Sequence, residues 1–299
     1  MEYQALVLEF VKISIAQNDW KSRQASIKGF SLLLYGLSDE QNQTLISSSI
    51  NELIGLLNDN SKQVQYATME SLIIITEVCG KFILTSPLFV EYLKLILSKL
   101  SLSEKFLKSG CRIVDNLCEA EKDFKLGKFT AISDDLIGLF LKYAVSSETS
   151  LAVISWSTTT IMNILEVTQN PTVILKYLGF VLENFDNLSQ IKEKEKRETI
   201  TSAFFTFMQF CLHGLKKTLL DQNVIMSVYN KVTNYFKAIK DVNADGFYAI
   251  EALVSFFNGN TGLVDDFWPY ITHALQKLQD PVLFRATVSC LASFVVSYG

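Results

Sequence analysis

The residues in this chain whose types could do chemistry are five cysteines, two histidines and the adjacent acid pairs Asp134-Asp135 and Asp265-Asp266. Cys111 and Cys118 are seven apart, two turns along one helix face, too far for a disulfide and outside the short chelate spacing of a zinc knuckle. Cys79, Cys211 and Cys290 are scattered among apolar residues at helical spacing, so all five read as buried reduced thiols. His213 and His273 have no partner at an i+4 ligand spacing, and no metal site is expected. Both acid pairs stand near helix starts, where the helix macrodipole accounts for them. The sequence contains no G-x-S-x-G, no phosphate-cradling glycine loop and no H-E-x-x-H. It is not expected to be an enzyme or to hold a cofactor.

The elements that must position any binding surface are helices. With 299 residues, 49% of them hydrophobic, the chain has ample material for a large core, and only four prolines and thirteen glycines punctuate it. The strongest apolar run, Ser71–Cys79, is broken by Glu77 and followed by Lys81, well short of the roughly 20 residues that span a bilayer. It reads as a buried helix. Met1-Glu2-Tyr3-Gln4 lacks the basic region of a secretory signal, so a cytosolic or nuclear protein without membrane insertion is expected. Nucleic-acid binding is disfavoured, because 27 basic residues against 31 acidic ones leave a net charge of −4 and no basic stripe to neutralise phosphates.

The helices come in pairs. Second members begin near Asp19, Asp59, Ser103, Ser147, Glu195, Asn243 and Asp280, roughly 37 to 48 residues apart, where helical HEAT and armadillo repeats fall. First members are expected at about 3–16, 40–57, 87–100, 129–145, 171–184, 219–239 and 264–278, and second members at about 20–36, 61–79, 104–120, 148–167, 195–214, 244–257 and 281–297. Each second helix opens on a capping or charged residue and continues with an apolar stripe, as in Ala25, Ile27, Phe30 and Leu33. Asp280 before Pro281 is the clearest start signal. One pair alone cannot bury such a stripe, so the pairs must stack. The predicted fold is all-α, an α-solenoid of about seven antiparallel helix pairs over residues 1–299 as a single array. Asp19 with Arg23, Asp59 with Lys62 and Asp280 with Arg285 are candidates for an aligned charge ladder between repeats, although solvated helix charge accounts for each pair taken singly. The one sustained charge run, 187–198, reads as a solvated helix entry or as a loop that meets a charged partner.

Asn18-Asp19-Trp20-Lys21-Ser22-Arg23-Gln24-Ala25-Ser26, followed by Gly29-Phe30, resembles the "NWRxREAAxxAFG" segment of the importin-β (karyopherin-β) family. Leu53–Asp59 with Val64 resembles its next repeat. Asp245–Leu253, then Phe267-Trp268-Pro269-Tyr270-Ile271 and Ala274-Leu275, resembles the family's "DxxxYAISALxxxLGxxFxxYxxxFxPYLxxAL" stretch. The matches bracket nearly the whole chain, while residues 120–240 match by helix pattern.

The resemblance implies central to later HEAT repeats of a longer superhelix, hence a fragment or a shortened form. It implies a nuclear transport receptor that moves between cytoplasm and nucleus through the nuclear pore. The partners would be Ran, importin-α or direct cargo, and nucleoporins with Phe-Gly repeats. The family's inner tryptophans, which stack on the adaptor's basic helix, fall at Glu70 and Arg112, and neither can stack as an indole does. Glu70, Asp115, Glu119 and Glu251 are the inner-face acids that could meet basic cargo or Ran. Phe247, Tyr248, Phe267 and Trp268 are candidates for a Phe-Gly groove, with packing between stacked helices as the competing account. The competing function is a HEAT scaffold of a cytoplasmic complex.

Overall fold

The computed structural model describes residues 2–146, 148–168, 170–215, 221–238, 243–257, 262–277 and 279–298. Among these there are fourteen α-helices and no strand. The expected helix start at Ser147, and the expected stretches at 219–220, 239 and 278, lie outside the described residues. The chain separates into two compact units, 1–132 and 133–299.

The first unit holds α1 (Glu2–Ile15), α2 (Trp20–Leu33), α3 (Asp39–Gly55), α4 (Lys62–Thr85), α5 (Phe89–Leu97) and α6 (Glu104–Phe124). Asp19 starts α2 by accepting the Ser22 amide at 3.1 Å, and Ser38 with Gln41 closes a capping box at α3. The second helix of each pair packs on the next, α2 on α4 and α4 on α6. Small buried residues stand on both helices, Ala67 and Ser71 on α4 and Ser109 on α6, while Gly110 of α6 makes room for the Leu100 side chain. Gly80 is required by the approach of α6, since a Cβ there would stand 2.8 Å from the Ala120 Cβ. Beside it Cys79 leaves helical geometry (φ −122°, ψ 18°), kinking α4, which runs on to Thr85, past the end expected at 79. After α6 the backbone turns through Lys125 (φ 51°) and Gly127 (φ 69°). The buried Glu121 carboxylate accepts the amides of Gly127 and Lys128 there. Phe129, expected to open the next helix, is instead buried in this connection, its ring 6.1 Å from that of Phe89.

The second unit holds α7 (Ser133–Ala144), α8 (Leu151–Thr168), α9 (Pro171–Asn184), α10 (Lys194–Gly214), α11 (Gln222–Ala238), α12 (Ala244–Val254), α13 (Gly262–Leu275) and α14 (Pro281–Tyr298). Pro171 follows the capping Asn170, and Asp280 accepts the amides of Val282 and Leu283, both at 3.0 Å, to start α14. Second helices again stack on second helices: α8 on α10, α10 on α12, α12 on α14. The core of the unit, shared by first and second helices, is aromatic. The Phe205 ring lies 4.8 Å from Tyr235 and 5.4 Å from Phe185, and Phe236 stands among Phe205, Phe247, Phe267 and Tyr270.

Candidate partner-binding surfaces

Of the charge ladder expected between repeats, one rung forms among the described residues, and with a different pairing from the candidates. Arg23 donates from Nε to Asp59 Oδ2 at 2.7 Å and from Nη2 to Asp59 Oδ1 at 2.9 Å, across 36 residues. Its Nη1 ties down the Gln17 and Asn18 carbonyls. This two-pronged bond, both partners largely buried, holds the Asp59 carboxyl below its usual range, with the Ser61 amide helping against burial. Asp19 and Asp280 cap their own helices and do not pair with Arg23 and Arg285, and Asp59 pairs with Arg23, not with Lys62. The Ser202 hydroxyl on α10 similarly donates to Asp245 at the start of α12.

Discrete polar side chains also tie first helices to one another. Tyr92 on α5 donates to Asn51 on α3 at 2.5 Å. Tyr177 on α9 donates to the Asp134 carbonyl at 2.7 Å and to its carboxylate at 3.0 Å on α7, and Lys176 adds 2.7 Å. Lys176 first, and Tyr177 after it, hold the Asp134 carboxyl low. On α11, Tyr229 donates to Asp266 of α13, and Lys231 to Asp186 beyond the end of α9. Burial, then the bond to Asp266, pushes the Tyr229 phenol up to about 12.

Of the inner-face acids, Glu70 is half-buried and accepts from Ser109 Oγ at 2.7 Å. Asn116 of α6 donates to the Ile73 carbonyl at 2.9 Å on α4, a second tether between the same helices that the sequence reading did not anticipate. Asp115 is half-buried and Glu119 exposed, the latter 2.8 Å from Lys122. Glu251 on α12, in the other unit, is half-buried and after desolvation is the second cause raising the Cys290 thiol. The acids in the first unit therefore share α4 and α6 but do not converge on one point.

The four aromatics separate sharply. Phe247 and Phe267 are 0% exposed and meet through Phe236, so they are packing residues with no face for an inserted side chain. Trp268 is 48% exposed on α13, and Tyr248 is half-buried on α12. A separate cleft of about 930 Å³ in the second unit is lined by Phe185, Arg197, Lys231, Tyr235, Asp245 and Asp280 among others. No sequence signal pointed to it, since its walls come from five different parts of the chain, the stretch just after α9 and the helices α10, α11, α12 and α14 with their caps.

All five cysteines are buried and outside any disulfide, with Cys79 and Cys211 pushed up to about 12 by desolvation. Among the described residues no three His, Cys, Asp or Glu side chains stand close enough to hold a metal ion. No helix among them is long and apolar enough to cross a membrane.

No protein-family model matches the chain. The chain is 22% identical over 294 residues to importin subunit beta-1 of Saccharomyces cerevisiae, covering 94% of this chain and 34% of that protein. The structure of Kap95 in complex with Nup1 matches with a TM-score of 0.84 and 18% identity over 97% of this chain and 35% of that one. The chain is thus similar to importin-β in sequence and in fold. A structure of importin-β crystallised in ammonium sulfate also matches at a TM-score of 0.84, with 17% identity over 98% of this chain and 36% of that one. The chain spans about a third of the length of the curated protein it matches. The sequence similarity runs through residues 120–240 as well, where only the helix pattern resembled the family.

Proposed function

We propose that this chain serves as a nuclear transport receptor, moving between cytoplasm and nucleus with a protein cargo. The observation that supports this most is similarity to an importin-β subunit along 94% of the chain, together with a shared helical-repeat fold. Nucleoporins and Ran are the partners that importin-β neighbours suggest: one is solved with Nup1, and another structure describes Kap95p binding to RanGDP. Cargo, or an importin-α adaptor, would be met by second helices, on which Glu70, Asp115, Glu119 and Glu251 lie. For Phe-Gly repeats, Trp268 and Tyr248 supply the accessible aromatic surface of the set, because Phe247 and Phe267 are closed inside the core.

Immobilised Phe-Gly repeats test the reading. The folded chain should be retained, and Trp268→Ser combined with Tyr248→Ser should reduce retention while the circular dichroism spectrum stays helical. A helical chain that passes through unretained would remove the transport reading in favour of a HEAT scaffold.

A further inference from the structure

α14 carries two apolar stripes. Leu283, Ala286, Cys290 and Phe294 are buried and form the side that packs within the unit, on α12 and α13. Phe284, Val288 and Val295, spaced by four and seven, share another face and are exposed, Val295 by 63%. Ala292 is exposed beside them. An aliphatic row left in water in this way marks a contact surface. In the first unit α2 has a matching side. Ser26, Ile27 and Phe30 are buried, whereas Ala25, Gly29 and Leu32 are exposed on the opposite side, Leu32 by 61%. Gly29 stands in the middle of the helix, where glycine is less favourable than alanine, and a Cβ there would meet nothing within 4 Å. Gly80 leaves room that α6 occupies; the room at Gly29 is used by nothing in the fold.

We propose that the exposed stripe of α14 docks against the Ala25, Gly29 and Leu32 side of α2 in a second copy of this chain. The contact continues an arrangement already present within each unit, where second helices stack on second helices, α2 on α4 and α12 on α14. The charges agree with it. Within the first unit Arg23, four residues after the capping Asp19, reaches Asp59, the acid that precedes the next second helix. Arg285, five residues after the capping Asp280, is the one charged residue of α14 and is exposed. Asp19, the acid that precedes α2, is exposed too. The same rung can therefore form from Arg285 of one copy to Asp19 of the next. Lys21 and Lys28 flank the α2 side, so two α2 helices would repel one another, and the contact joins two different surfaces. The inference does not rest on the transport reading, since a scaffold could associate in the same way.

Sedimentation equilibrium on the full chain tests it as a concentration series up to about 0.1 mM, where the mean mass should rise above that of one chain. Val288→Glu with Val295→Glu on α14 should keep the chain monomeric, and so should Gly29→Glu with Leu32→Glu on α2. All four positions are exposed, so the circular dichroism of both variants should stay native. Lys142→Glu, an exposed change on α7, should leave association intact. Mixing separates docking from damage: each blocked variant keeps the surface that the other lacks, so an equimolar mixture should form a dimer and nothing larger. A parent chain that stays monomeric throughout, association that survives both double substitutions, or a mixture in which no dimer forms would overturn the proposal.

Discussion

Within each unit the second helices and the first helices are held by different physics. Second helices lie against one another with small and apolar residues buried along them, Ala67 and Ser71 in the first unit, Ala249 and Ala252 in the second, and Gly80 stands where any Cβ would collide with α6. First helices are joined to their neighbours at discrete polar contacts, Tyr92 to Asn51, Tyr177 and Lys176 to Asp134, Tyr229 to Asp266, with buried rings, Phe236 against Phe267, added between α11 and α13. Apolar burial is broad and non-directional, so the second row resists change by volume. A hydroxyl bond is narrow and replaceable by water, so the first row resists by geometry at a few points and contributes less per contact. The lesson is that the two sides of one repeat stack can be held by different mixtures of contact without differing in secondary structure.

Substitutions can break that contrast. Phe205→Ala on α10 removes a fully buried ring from between Phe185, Tyr235 and Phe236, and should lower the urea stability of the chain by about 3–5 kcal/mol. Tyr177→Phe on α9 keeps the ring and removes only its hydroxyl bonds to Asp134, and should cost about 1 kcal/mol in the same measurement. Equal losses for the two would show that the rows are held alike.

The smallest effect expected is a pH dependence. Asp59 and Asp134 both have folded-state carboxyls held below the usual value, by Arg23 and by Lys176 respectively. Each therefore contributes stability that is complete above the ordinary carboxylate range and is lost as pH falls through the lowered value. The Asp134 pair is more exposed and contributes less. Melting temperature should fall on acidification, and Asp59→Asn should begin lower at neutral pH yet lose less between neutral and acid. A variant with the same acid sensitivity as the parent chain would show that the Arg23 bond does not couple to folding.

The pairing of helices was legible because apolar positions recur every three or four residues and caps mark the starts, so α2, α9, α10 and α14 lie where those signals put them. Partner choice was not legible. Arg23 has acids at Asp19 and Asp59 to choose from, and only the offset between stacked repeats decides for the one 36 residues away. The aromatic pair Phe267-Trp268 shows the same limit. Neighbours on a helix point about 100° apart, so one ring is sealed in and the other faces solvent, and residue type alone cannot say which.

The buried Glu121 carboxylate has a practical consequence for handling the molecule. The stretch between α6 and α7 offers trypsin two cleavage points, Lys125 and Lys128, with side chains in solvent, yet the amides of Gly127 and Lys128 are clasped from beneath. A protease must draw that strand out before it can cut, so intact material should survive digestion that an unclasped linker would not.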